Sequence, residues 1–369
     1  MSVEIKVPSL SKKFGSEYAV KDLEFNIQRG ELFALLGPSG AGKTTTLNLI
    51  AGIEQPDSGD VLADGLSIKK MKSQEREFAM VFESYALYPH FTVAENMSFP
   101  LKAPSRKGQH TEEEIKAIVH DTARILEIEE LLHRYPKELS GGQKQRVGLG
   151  RALVRRPKCF LMDEPIAHLD AKLRHHMRGE LKKLQKRLGV TTLLATPDYN
   201  EVVAMADRAA VLSHGKIEQI GSPLELFKKP SNEIVANAIG DPPINIIRSR
   251  IIEESDSIYL RGEGFSIKAT GSLKERILRC GSHDAIELGI RPGDIIVENE
   301  VAKGILEAEV YVFEPLGGEA IATFSVRGKR VKVTCSADRR LKIGQKVGLS
   351  FSLDNIHLFN AGTGEALTS

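Results

Sequence analysis

The chain has 369 residues, with 51 Lys and Arg against 49 Asp and Glu, for a formal net charge of +2. That length predicts two or three domains with at least one full core, and the charge balance excludes a basic nucleic-acid coat or an acidic disordered tail. Composition is ordinary for a globular protein, no apolar run approaches the ~18 residues of a bilayer span, and the opening Met1-Ser-Val-Glu-Ile-Lys6 carries no signal-peptide stretch. Cys159, Cys280 and Cys335 are odd in number and far apart, which predicts reduced thiols in a soluble intracellular protein and no zinc site. Any membrane role is expected to come through a partner.

From Glu31 to about Gly221 short apolar runs alternate with helical periodicity, an α/β pattern. Leu32–Leu36, Cys159–Met162, Thr191–Ala195 and Ala209–Leu212 read as strands. Their apolarity is continuous rather than alternating, as in a parallel sheet covered on both faces. Thr111-Glu-Glu-Glu114 is a capping box, followed by Ile115, Ile118, Val119, Thr122, Ile125 and Leu126 on one helical face. Asp170 can cap a helix carrying Leu173, Met177, Leu181, Leu184 and Leu188, and Ser222-Pro223-Leu-Glu225 opens another. After Gly240-Asp-Pro-Pro243, a plausible hinge, short β-rich runs take over: Ser257–Leu260, Ala308–Val312, Ala320–Phe324 and Arg330–Val333. These predict a small barrel or sandwich. No internal repeat and no low-complexity tract is present.

Gly37-Pro-Ser-Gly-Ala-Gly-Lys43-Thr44 fits the pattern G-x-x-x-x-G-K-[ST] and sits where that pattern requires, between the Leu32–Leu36 strand and an apolar helix, Thr45 to Ala51. Gly37, Gly40 and Gly42 let the backbone curl its N–H groups toward an anion, and the helix start adds the positive end of a dipole. Lys43 is placed to reach β- and γ-phosphates and the Thr44 hydroxyl to ligate Mg²⁺. The Cys159–Met162 strand ends in Asp163-Glu164. Beside such a loop, Asp163 is expected to hold Mg²⁺ and Glu164 to polarise an attacking water.

Leu139-Ser-Gly-Gly-Gln143 follows the same logic: Ser140 and Gln143 form a capping box, and Gly141 and Gly142 expose N–H groups at the first turn of a helix, a second anion site. With these residues the chain resembles the ATP-binding cassette (ABC) ATPases, essentially end to end. Val81–His90 is similar to the Q-loop of sugar-importer ATPases, and Phe160–Pro165 and Leu169-Asp170 to Walker B and the D-loop. Ile239–Asn245, Gly289–Asp294 and Glu314–Gly317 resemble the C-terminal TOBE region of the maltose/glycerol-phosphate importer group. The resemblance implies an α/β P-loop NTPase of ABC type, with a mostly parallel core sheet and an inserted helical subdomain at about 84–150. That domain would span 1–235, followed by an OB-like regulatory domain at 236–369. The OB-like tail raises an oligonucleotide-binding alternative, but residues 240–369 hold 17 basic and 18 acidic side chains, so nucleic acid is not expected.

In such a protein ATP is held by Gly37, Pro38, Ser39, Gly40, Ala41, Gly42, Lys43, Thr44 and Thr45, with Phe14 stacked on the base, 29 residues before Lys43; Tyr18 competes for that role. Catalysis falls to Glu164 and Lys43, and Mg²⁺ to Thr44, Asp163 and position 83. Ser140, Gly141, Gly142, Gln143 and Asp170 would serve the site of a second ATPase subunit. Two transmembrane permeases would bind near Ser84–His90, and a solute-binding protein would act indirectly, placing the chain at the cytoplasmic face of the plasma membrane.

Two positions depart from the family pattern. Glu83 stands where the Q-loop usually has Gln, adding negative charge near the γ-phosphate in a water-poor site. Pro197, in Thr196-Pro-Asp198, stands where a His normally bonds that phosphate, and proline has neither a side-chain donor nor a backbone N–H. His168 and His214 offer no evident rescue. These substitutions impair this chain's own site and leave the partner-serving signature intact, so an asymmetric heterodimer with a paralogue is expected. The alternatives are a self-paired dimer and an ATP-holding regulatory subunit with negligible hydrolysis. The expected function is ATP-driven uptake of a carbohydrate, polyol or glycerol-phosphate-like solute.

Overall fold

The chain opens with a hairpin of two long strands, β1 (Ile5–Phe14) and β2 (Glu17–Ile27), which bury Ile5, Val7, Leu10, Val20, Leu23 and Ile27 in one hydrophobic core. The computed structural model describes residues 2–81, 87–103, 108–167, 169–254, 257–280, 285–301 and 306–367, with the side chain of Cys280 outside that set. The chain divides into two compact units, Met1–Pro223 and Leu224–Ser369.

In the first unit β3 (Leu32–Leu36) buries all five of its residues and runs straight into the loop that precedes α1 (Lys43–Ala51). Short strands β4 (Leu62–Ala63) and β5 (Leu66–Ser67) extend the hairpin into a sheet of order β2-β1-β4-β5. β6 (Phe78–Val81) is followed by three helices, α2 (Val93–Ser98), α3 (Glu112–Ile125) and α4 (Gly141–Leu153), which pack on one another. The chain then returns through β7 (Cys159–Asp163), α5 (Ala171–Leu188), β8 (Thr191–Thr196), α6 (Tyr199–Met205), β9 (Arg208–Ser213) and β10 (Lys216–Gly221). The main sheet has order β10-β9-β3-β8-β7-β6, parallel throughout except for β10 on β9. Each apolar run predicted as a strand lies inside one of these, because a run with no polar face must be covered on both sides. The helix starts follow the caps: Thr111 and Ser140 form capping boxes with Glu114 and Gln143, and Asp170 caps α5.

The order β9-β3-β8-β7 brings the carboxyl ends of β3, β7 and β8 side by side. In an open α/β sheet the ligand crevice lies outside such ends, so the loop after Leu36, the acids after Met162 and the turn after Thr196 share one edge.

The second unit begins with α7 (Pro223–Lys228) at the boundary and α8 (Glu233–Ala238). β11 (Asn245–Glu254), β12 (Ser257–Gly262) and β13 (Phe265–Lys268) lead to α9 (Gly271–Cys280) and β14 (Ile286–Ile290). β15 (Ile295–Glu298), β16 (Leu306–Pro315), β17 (Glu319–Val326), β18 (Lys329–Ser336), β19 (Lys346–Phe351) and β20 (His357–Asn360) follow. They form two five-stranded antiparallel sheets, β13-β12-β11-β14-β20 and β15-β19-β16-β17-β18. Leu260 and Leu288 from the first share a core with Phe324, Val333 and Leu349 from the second. β16 and β17 alternate buried and exposed residues, the period-2 pattern of strands with one wet face.

Candidate active site

The loop between β3 and α1 is fixed by its glycines and by one buried lysine. A Cβ on Gly37 would stand 2.4 Å from the Leu212 carbonyl oxygen, and one on Gly42, whose φ is +103°, would stand 2.6 Å from the Ala19 oxygen. Neither backbone neighbour can retreat, so both positions require glycine. The β9–β10 turn closes the loop from outside: the Gly215 N–H donates to Ala41 O at 3.1 Å, and the Lys21 N–H to Gly215 O at 2.8 Å. Pro38, Ser39 and Gly40 are exposed. Lys43 is only 4% exposed, and its ammonium donates to Gly37 O at 2.9 Å and Pro38 O at 3.1 Å.

β7 delivers two acids to this point. Glu164 Oε1 lies 3.4 Å from Lys43 Nζ, and the Thr44 hydroxyl donates to Asp163 Oδ1 at 3.2 Å. Glu164 has φ +44°, and its N–H donates to Ala195 O on β8 at 2.9 Å. This turn aims its carboxylate at the loop while Asp163 faces Thr44. A hydroxyl and a carboxylate on one small opening form the hard oxygen donor set that Mg²⁺ takes together with phosphate oxygens, so these residues fit the ion. Thr45 is half-buried in the first turn of α1.

The Ser140 segment is built separately. The Ser140 N–H donates to Gln143 Oε1 at 2.9 Å, and the Gln143 N–H to Ser140 Oγ at 3.4 Å. A Cβ on Gly142 would press on Leu173 at 3.1 Å, and one on Gly141 would sit 3.5 Å from Leu169. The segment's start thus rests on the turn that Asp170 caps, where Asp170 Oδ1 accepts from the Leu173 N–H at 2.9 Å. Its hydrogen bonds stay within its own turn, leaving its first N–H groups pointing outward as α4 begins.

The ABC transporter family model matches residues 20–167 and the TOBE domain model residues 288–359. The trehalose/maltose import ATP-binding protein MalK of Thermococcus litoralis is 42% identical over 98% of this chain and 99% of its own length. The sn-glycerol-3-phosphate import ATP-binding protein UgpC of Psychromonas ingrahamii is 39% identical over 97% and 94%. The chain belongs to the ABC transporter ATP-binding proteins. It falls in the group of sugar and glycerol-phosphate importers and is an ATPase. Among solved structures, a dimeric ATP-binding cassette in a post-hydrolysis state bound to ADP and Pi superposes with a TM-score of 0.52 at 31% identity, covering 59% of this chain and 98% of its own. The first unit is therefore an ABC cassette of P-loop NTPase fold and the second contains a TOBE domain.

In this ABC protein β8 ends at Thr196, and Pro197, which follows it, is exposed. Thr196 is buried, its carbonyl accepts the Gly37 N–H at 3.4 Å, and its hydroxyl accepts the Asp198 N–H at 3.0 Å. The segment that borders the loop is thus anchored, yet Pro197 offers no donor there. Asp198 caps α6 and is held by Arg178 at 2.6 Å, with Arg174 at 3.9 Å. Behind it Glu201 is 3% exposed. Burial, with Asp198 beside it, pushes its carboxyl up to about 7 against the pull of Thr196, Arg178 and Arg174. Sequence reading overlooked Glu201, and a Glu inside the apolar face of α6 was the available signal.

Phe14 stands at the open end of the β1–β2 hairpin, 53% exposed, with Lys12 Nζ 5.4 Å from its ring centre. The ring is therefore not part of the core. Tyr18 is 43% exposed and lies under Lys13 and Lys21. His214 is exposed in the β9–β10 turn. Glu83, His168 and the stretch 84–86 lie outside the described residues. One further residue left no sequence signal: buried Arg76, whose guanidinium donates to Leu49 O and Ile50 O at 3.0 and 2.7 Å. It places a cation on the carboxyl end of α1, the end a helix dipole makes negative, while the amino end faces the phosphate loop.

Proposed function

We propose that this chain is the ATP-binding subunit of an importer for a carbohydrate, polyol or glycerol-phosphate-like solute, and that it works as one half of an asymmetric ATPase pair. The relatives named for trehalose/maltose and glycerol-3-phosphate import support the solute class. They also imply two permease partners that hold the chain to the membrane, with a solute-binding protein acting from the far side. Among the described residues no helix is long and apolar enough to cross a membrane itself.

ATP would lie along the Gly37–Thr45 loop, its phosphates cradled by backbone N–H groups and Lys43, its base on Phe14. Lys43, already buried, loses little freedom in meeting phosphate. Thr44 and Asp163, with position 83, would hold Mg²⁺, which when bound neutralises charge on the phosphate oxygens. Glu164 would take the proton of an attacking water. Ser140, Gly141, Gly142, Gln143 and Asp170 would complete the site of the second subunit.

The observation that carries the asymmetry is Pro197: the strand end beside the loop is anchored through Thr196, but the residue that follows cannot donate. Loss of one preorganised donor to transition-state charge costs ~10²–10³ in rate. Turnover would then occur mainly at the site where a fully equipped paralogue supplies the loop and this chain supplies Ser140–Gln143. A second reading, an ATP-holding regulatory subunit, draws on the same residue and is opposed by the presence of Glu164. Single-turnover hydrolysis by this chain tests both. A slow rate that Pro197→His raises at least about tenfold supports the impaired ATPase. No hydrolysis in either form supports the regulatory reading. Mass spectrometry of the purified transporter should find two different ATPase chains, and a single species would refute the pairing.

A further inference from the structure

The second unit holds a cavity of about 830 Å³, the size of a small-molecule site, and nothing in the ATPase cycle uses it. Its wall comes from the end of α7, from α9, from the turn after β14, and from the segment around β20. Five cationic side chains line it, Lys228, Lys229, Arg276, Arg279 and Arg291, against two carboxylates, Asp294 and Asp354. The chain from 240 onward is balanced at 17 basic and 18 acidic residues, so this surplus is local. Asp354 accepts from the Ser272 hydroxyl at 2.5 Å and Asp294 from the Asn355 amide at 2.8 Å.

Two of the guanidiniums are set in place by main-chain oxygens. Arg276 donates to Ile356 O at 2.7 Å and Leu353 O at 3.0 Å. Arg291, 3% exposed, donates to Ala236 O at 2.8 Å, Phe227 O at 3.0 Å and Ile239 O, and stacks on the Phe227 ring at 4.2 Å. His357 lies in the same wall: burial, with Arg291 and Arg276 beside it, pushes its imidazole down to about 4. Ala366 and Leu367, both half-buried, add an apolar surface beside the charges.

We propose that this cavity binds a small organic phosphate, a monoester of sugar or polyol size, as an effector distinct from the ATP held by the first unit. Several Arg and Lys donors converging from separate elements match the outward oxygens and double charge of a phosphate monoester. The volume leaves room for a carbon skeleton against Ala366 and Leu367. Recognition requires the folded second unit, since its cations come from segments far apart in sequence.

The test uses the full-length chain carrying Lys43→Ala, which weakens phosphate binding at the ATP loop, with the histidine rings followed by NMR so that binding is read at His357 in the second unit. Glycerol 3-phosphate and glucose 6-phosphate should move the His357 resonances to saturation at millimolar concentration and raise its pKa above about 4, because a nearby anion favours the imidazolium. Arg279→Glu, on an exposed position, should weaken binding by about tenfold or more with an unchanged melting temperature. Should that variant melt early, Lys228→Glu and a salt titration replace it, and binding should again fall in both. The proposal is overturned if neither phosphate moves His357, if the charge reversals leave affinity unchanged, or if glycerol, glucose or succinate bind as well.

Discussion

The two units of this protein build charged recognition sites in opposite ways. In the first, the anion cradle is a continuous run of nine residues, Gly37 to Thr45, and its positive character comes largely from main-chain N–H groups and a helix start. In the second, the cavity around His357 is lined by side-chain cations contributed by the end of α7, α9 and the turn after β14. A main-chain cradle demands particular residues at fixed spacing, because curled backbone needs glycine where a Cβ would strike Leu212 O or Ala19 O. A side-chain cradle demands only that the fold bring arginines and lysines together. The first leaves a motif in the sequence and the second does not.

Mutations sharpen that contrast, beginning with the largest effect. Lys43→Ala should lower kcat of the ATPase by ~10²–10³ with little change in melting temperature, since one preorganised cation is removed from the phosphate while the glycine-shaped backbone remains. A loss below tenfold would mean that the main chain alone carries the site.

Next in size is a pH effect at the β8 edge. Glu201 has its folded-state value raised to about 7 from an ordinary 4.5. Its neutral carboxyl therefore favours the fold fully below pH 4.5, and that contribution is lost as pH rises through 7. Glu201→Gln should match the parent near pH 4 and be more stable by up to about 3 kcal/mol above pH 8, read by chemical denaturation across pH. A constant difference across that range would place the carboxyl in a wetter setting than its burial indicates.

Phe14→Ala should weaken ATP binding by about 1–3 kcal/mol, the worth of one aromatic–base stack, with kcat at saturation unchanged. Tyr18→Ala should do less, and the reverse order would move the base to the Tyr18 face. The smallest change belongs to Ser140→Ala, which removes one half of a capping box and should cost about 1 kcal/mol of stability, measured by thermal melting.

The same contrast explains what the sequence made legible. Continuous apolar runs such as Leu32–Leu36 and Thr191–Ala195 announced buried parallel strands, and Thr111, Ser140 and Asp170 announced helix starts, because strand covering and capping are local physics. The loop, Asp163 and Glu164 were legible for the same reason. Arg76 behind α1, Arg178 on Asp198 and the buried Glu201 were not. Each depends on a partner brought near only by the fold, and no local period records such a pair. The cavity of the second unit is the extreme case: its cations are scattered from 228 to 291 among ordinary surface residues.

Gln145 gives the first unit a final property. This fully buried side chain of α4 donates its amide to Pro165 O at 2.9 Å, next to Glu164. Severing that bond in a dry interior would strand a polar group at a cost of about 1–3 kcal/mol. The helix that begins at Ser140 and the bend that carries Glu164 are thus riveted together. On the proposed reading, a nucleotide gripped by the start of that helix would be felt at the carboxylate serving the opposite reaction centre.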